Sequence, residues 1–196
     1  MKSILSIIFI LATIIVQAQD VNAKLDEAAS AYQSDDLENT RFALQQSLSE
    51  LDILLGQEIL KVLPTELAGN AYDQESDAAV GNATGLTGVF VNRSYPGEEK
   101  TISIELVTDS PLLGALSGFL TNPLFASMAG GNQKVIKIDS YKGMLQKDEN
   151  DPLHYELQVP LDQSLFTIRY DGFDNENDVT GIANQIGIRE IAGLLK

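Results

Sequence analysis

The chain has no cysteine, no tryptophan, one histidine (His154), and 13 Lys+Arg against 28 Asp+Glu in its 196 residues. Each shortage removes a class of chemistry. Without cysteine there is no thiol nucleophile, no disulfide and no lipoprotein-type acylated residue, so an exported domain of this sequence must be held by its core alone. One imidazole and no thiolate cannot assemble a zinc site of the usual His and Cys kind. His154 is the lone candidate base, and no Gly-x-Ser-x-Gly elbow accompanies it, so nucleophilic catalysis lacks its parts. No glycine-rich loop ends in Lys-Ser or Lys-Thr, which leaves phosphate chemistry without a cradle. A formal charge of −15 repels phosphate backbones and anionic headgroups, so nucleic acid is not an expected partner. No catalytic residue, metal ligand or cofactor is assigned from the sequence.

What is present begins with an export pattern over residues 1–18. Lys2 supplies the positive start, Ile4 to Val16 an apolar core, and Val16-Gln17-Ala18 a small-residue cleavage site. The apolar core is shorter than the ~20 residues of a spanning helix, so a periplasmic or secreted product beginning at Gln19 is expected. About 178 residues then remain, enough for one sizeable core.

Two helices are expected over residues 19–63. Val21, Leu25, Ala28, Ala29 and Tyr32 share one face of the first, and Ser34-Asp35-Asp36 interrupts it. Asp35 with Glu38 three residues on has the form of a capping box for the second. That second helix carries Leu44, Leu48, Leu51, Leu55, Ile59 and Val62 at spacings of four and three, the strongest periodic signal in the chain. It is expected to stop at Leu63, because the residue before Pro64 is pushed out of the α region. Such a hairpin has two uses: its long helix packs on the sheet, or its stripe is a face for dimerisation or for docking a partner.

The polar stretch Thr65 to Thr84 reads as a linker, and an α+β domain over 64–196 is expected to follow. Val89 to Tyr95 and Thr101 to Thr108 alternate with period two around Pro96-Gly97-Glu98-Glu99, which predicts a β-hairpin. Val135–Ile138, Met144–Lys147, Leu153–Val159 and Ser164–Tyr170 continue in the same style, with His154, Glu156 and Gln158 opposite the apolar set of their strand. Short turns between successive strands make an antiparallel meander the economical topology. From Asp178 to Lys196 the pattern is helical, interrupted at Gly187.

Between Asp109 and Lys134 there is no charged residue. Leu112, Leu113, Leu116, Phe119, Leu120, Leu124, Phe125 and Met128 concentrate apolar bulk there, while Pro111, Pro123 and several glycines break the segment into short helices or turns. The breakers argue against a membrane span. Two roles fit: a helical insertion closing one face of the sheet, or a flap over a groove for an apolar small molecule or protein partner. These eight residues are the candidate ligand-binding set.

The acidic run Asp171 to Asp178 is dense in oxygen ligands, yet threading a twelve-residue calcium loop from Asp174 puts Val179 where glycine is required and Gln185 where the closing glutamate belongs. A solvated turn with Asp178 as the N-cap of the last helix is the simpler expectation. Carboxylate-pair hydrolysis is the one enzyme class the composition permits, but spacing alone does not pair carboxylates in space.

The string Ile102-Ser103-Ile104-Glu105-Leu106 running into Thr108-Asp109-Ser110-Pro111, then Thr121-Asn122-Pro123-Leu124-Phe125-Ala126, resembles uncharacterised exported bacterial proteins in which a strand ending in an Asp-Ser-Pro turn precedes an apolar Asn-Pro insertion. The resemblance covers roughly residues 60–196 and implies a fold and no activity; a looser fold-level likeness is to the single-sheet Mog1 and PsbP-like domains. The expectation is therefore an exported α+β protein with an N-terminal helical hairpin. It continues as an antiparallel sheet of about five or six strands, with an apolar helical insertion and a C-terminal helix. The leading functional expectation is a non-enzymatic binding module acting through residues 112–128 or through the hairpin; the alternative is a carboxylate-based or calcium-dependent hydrolase.

Overall fold

The computed structural model describes residues 21–81, 88–121 and 131–196. The expected export signal and, of the apolar insertion, Leu124, Phe125 and Met128 lie outside the described residues. Contacts divide the chain into two compact units, one ending at Leu54 and one running from Leu55 to Lys196. The architecture is α+β.

Residues 21–33 form helix α1 and Leu37–Val62 form α2. Asp35 adopts the left-handed conformation (φ 57°) that ends α1, so it cannot cap the next helix. The cap is Asp36: the Asn39 backbone N–H donates to its Oδ1 at 3.1 Å and the Asn39 amide to Oδ2 at 2.6 Å. Those hydrogen bonds hold the Asp36 carboxyl below the usual carboxylate range. The capping residue thus lies one position beyond the Asp35 of the sequence pattern. At its far end α2 stops at Val62, one residue before the pre-proline Leu63.

Of residues 65–84, expected as a linker, 65–81 instead begin the β structure, and 82–84 lie outside the described residues. Glu66–Leu67 (β1) and Asn70–Ala71 (β2) pair across Ala68-Gly69, both at positive φ, the conformation of a tight primed turn. Asp73–Gly81 (β3) then adds an edge strand to the main sheet. Its acids and a register shift between Asp73 and Ala78 spoil the period-two pattern, which is why it reads as loop in sequence.

The remaining strands are β4 (Val89–Tyr95), β5 (Thr101–Thr108), β6 (Gln133–Ile138), β7 (Tyr141–Lys147), β8 (His154–Leu161) and β9 (Ser164–Asp171). With β3 they make one seven-stranded antiparallel sheet in the order β3-β4-β5-β9-β8-β7-β6. The expected hairpin is present, with Tyr95 opposite Ile102 and Phe90 opposite Val107. A single meander would place β6 beside β5. Two local meanders are joined instead by β5 and β9 at the centre, with Thr108 opposite Ser164 and Thr101 opposite Asp171.

One face of the sheet is the core. Val91, Ile102, Ile104, Leu106, Leu157, Val159, Phe166, Ile168 and Tyr170 are buried there in one cluster with Ile59 and Leu63. The same cluster takes in Val179 and Ile182 of α4 (Glu176–Ala183) and Ile188 and Ile191 of α5 (Ile188–Leu194). Gly56 permits the close approach of α2 to the sheet: a Cβ there would lie 2.9 Å from the Ala79 Cβ and 3.3 Å from Val89 and Val91. Gly187, at φ 77°, splits the C-terminal helical segment into α4 and α5 as its position suggests. The N-cap of α4 is Asn175, whose side chain accepts from the Asn177 N–H, rather than Asp178, which lies inside the first turn.

Candidate functional site

The sequence pattern pointed to two surfaces, the apolar insertion and the helical hairpin, and the structure treats them differently. The described part of the insertion is helix α3 (Leu113–Thr121), which contacts β7 and β8. Asp109 anchors its approach by donating its N–H to the Gln163 carbonyl at 2.7 Å, and Ser110 receives the Leu113 N–H at 3.1 Å. Among its described candidate residues Leu116 is buried, Leu113, Phe119 and Leu120 are half-buried, and Leu112 is exposed. The candidate residues therefore divide: the middle of α3 closes on the strands, and one leucine at its start faces solvent.

The first half of α2 shows the reverse of ordinary helix packing. Its buried positions are small, with Ala43 at 0% and Ser47 at 2% exposure, whereas Leu37, Leu44, Leu48 and Leu51 are 66%, 44%, 60% and 47% exposed. Ser47 returns its hydroxyl to the Ala43 carbonyl at 2.9 Å, which lets a polar side chain be buried in that row. The leucines sit one position off the small row, a rotation of about 100° around the helix. Burying alanine and serine while displaying leucine leaves an apolar stripe that water covers at a cost of ~25 cal/mol per Å². Leu37, Glu38, Asn39, Arg41, Phe42 and Gln45 line a shallow groove of about 790 Å³ at the start of this stripe. On α1 the expected apolar face splits as well: Val21 and Ala28 are buried, while Leu25 and Tyr32 are exposed.

The sheet face opposite the core carries the arrangement closest to paired carboxylates. Arg169 on β9 donates Nη1–H to Glu105 of β5 at 3.0 Å and Nε–H to Glu156 of β8 at 3.1 Å. The Gln158 amide donates to Glu156 at 2.6 Å. Partial burial pulls the guanidinium pKa down, but Glu105 and Glu156 outweigh it and hold it above its ordinary value. Both carboxylates answer to one cation on a partly buried face beside Thr167, which is the cross-strand pairing that stabilises a sheet. His154 does sit beside Glu156 and Gln158 as its strand phase implies, and its Nδ1 meets Asp171 Oδ1 at 2.5 Å on the neighbouring strand. Among the described residues no group of three or more His, Cys, Asp or Glu side chains is placed to hold a metal. In the acidic run Glu176 is paired with Lys134 at 2.6 Å.

A buried ion pair went unseen in the sequence. Arg93 lies on the core face of β4, with Nε and Nη2 donating to Asp77 at 2.8 and 2.6 Å and Nη1 donating to the Leu63 carbonyl at 3.1 Å. The Tyr72 ring stacks 4.1 Å from its guanidinium carbon, and the Tyr95 hydroxyl donates to the Pro64 carbonyl at 2.8 Å. Burial alone would lower the Arg93 pKa; Asp77 keeps it above its usual value. Burial pushes the Tyr95 phenol up to about 12. These groups line a recess of about 290 Å³ with Leu60, Lys61, Leu63 and Thr65. The donors are spent on Asp77 and on carbonyls just past the end of α2, so the cluster is a helix stop. Its one sequence signal is an arginine at an inward position of a strand that otherwise alternates.

No protein-family model, no curated protein and no solved structure matches this chain. Among the described residues no helix is long and apolar enough to cross a membrane.

Proposed function

We propose that this chain is an exported, non-enzymatic interaction module that binds through the leucine stripe on the first half of α2. The observation that carries the reading is the inverted exposure of that helix: Leu37, Leu44, Leu48 and Leu51 outside, Ala43 and Ser47 inside. Solvent-exposed leucines in a row mark an interaction site, since scattered single apolar residues are ordinary but a continuous stripe is not. A row along one helix fits the helix-in-groove mode of protein recognition. Export is supported by Lys2, the apolar run Ile4 to Val16 and the Val16-Gln17-Ala18 pattern, together with the resemblance to exported bacterial proteins. Nile red added to the native chain at low concentration tests the surface. Its fluorescence should rise, and should fall to background in L44Q/L48Q while L112Q on the insertion leaves it unchanged. Full dye binding by L44Q/L48Q overturns the reading. For export, the chain recovered from a secreting bacterial host should begin at Gln19; recovery with Met1 retained removes that part.

A further inference from the structure

Resting on that reading, we propose that the occupant of the stripe is a second copy of the same helix, laid antiparallel across a two-fold axis. Leu37, Arg41, Leu44, Leu48 and Leu51 follow one another at alternating spacings of four and three. That is the 3.5-residue period of a two-helix seam, and it is narrower than the face a helix turns to a globular core. A seam of this period fits another helix better than a flat sheet or a small molecule.

Self-pairing follows from the order of residues along the seam. With Leu44 set against the partner's Leu48, the two-fold repeats the layer as Leu48 against the partner's Leu44. The same register puts Arg41 beside the partner's Leu51 and repeats that contact at the other end. Every central layer is leucine on leucine, and the only seam cation falls at the two ends, where a long side chain lays its methylenes on leucine and its charge in water. The partner's Asp52 follows Leu51 in sequence, which places an acidic residue toward that end. A parallel pair in the same register would stack Arg41 on Arg41 and Glu38 on Glu38. The antiparallel arrangement also opposes the two helix dipoles. Two chains of formal charge −15 repel at long range, so the contact tightens as salt rises. A single helix pair is a small interface, and its exchange is fast.

Sedimentation equilibrium of the full chain over a dilution series, at low and high salt, is the first test. The wild type should pass from monomer to dimer with concentration, at lower concentration in high salt. L48E should weaken the dimer at least about a hundredfold with an unchanged circular dichroism melt. The register is read by disulfides, because the natural chain has no cysteine to compete. A mixture of L44C and L48C chains should cross-link to each other faster than either does to itself. Faster L44C self-linking overturns the antiparallel register, and a dimer that survives L48E overturns the surface. A wild type that stays monomeric while L44Q/L48Q still abolishes Nile red binding overturns the self-pairing and leaves the interaction surface standing. Monomer together with undiminished dye binding removes both.

Discussion

From Leu37 to Leu51, α2 turns its large apolar side chains to solvent and buries Ala43 and Ser47; from Leu55 onward the same helix buries Ile59 and Gly56 and shows Lys61 and Glu58. The spacing of leucines and isoleucines barely changes along the way. What changes is whether the described residues cover the stripe. An apolar stripe specifies that something will cover it, and the identity of the cover is a tertiary fact that period alone does not carry. In the second half the cover is the sheet. In the first the leucines stay exposed.

The sharpest way to probe the difference is to attack the stop that ends the buried half. Arg93→Met strands the half-buried Asp77 carboxylate and frees the Leu63 carbonyl, at a cost of about 3 kcal/mol. R93M/D77L, with neither charge present, should recover most of that loss. Urea denaturation measures both, and equal losses in the two variants would show that the ion pair is not what matters there. Next comes the direct comparison along the helix. Ile59→Ala leaves a cavity in the core and should cost roughly 2–5 kcal/mol, whereas Leu48→Ala should stay within about 0.5 kcal/mol of wild type at a chain concentration where only monomer is present. Similar values at the two positions would erase the contrast between the halves.

A smaller effect appears at high pH. The Tyr95 phenol is raised from 10.0 to about 12 in the folded chain, so the unfolded chain gives up this proton first. Its contribution is complete below pH 10 and is lost as pH climbs through about 12, on the order of 2 kcal/mol over that window. Burial also raises Tyr170, so the alkaline slope has two sources. Tyr95→Phe should flatten part of the slope while lowering stability at neutral pH by about 1 kcal/mol through the lost bond to Pro64. Tyr170→Phe should flatten another part without a penalty, because the Tyr170 hydroxyl is buried with no hydrogen-bond partner. Melting temperature followed from pH 8 to 11 reads both.

Much of the architecture was legible where local pattern and tertiary role agree. The alternation of Ile102, Ile104 and Leu106 against Ser103 and Glu105 placed β5 correctly, and Gly187 announced the break between α4 and α5. β3 was missed because Asp73, Glu75 and Asp77 sit on an edge strand with a shifted register, where one rim of the sheet meets water and period two is not enforced. The cap of α2 moved from Asp35 to Asp36 because a backbone conformation, not a side-chain type, decides which residue ends α1. The site was legible by halves. The stripe Leu44-Leu48-Leu51 stood out in sequence, but its exposure did not, and the insertion that looked like the more open surface has Leu116 tucked onto the strands. Arg93 with Asp77, and Arg169 between Glu105 and Glu156, join residues distant along the chain, and spacing carries no trace of such pairs.

The junction of β5 with β9 sets the order in which this sheet can assemble. Hairpins β4-β5 and β6-β7-β8-β9 need only short loops to close, so each is available early. Their union waits until Thr108 finds Ser164 across everything between them, and that closure spends chain entropy before any contact rewards it. Folding speed should therefore respond to loosening the middle of that junction, at Ile104 or Ile168, more than to equal damage in either outer hairpin.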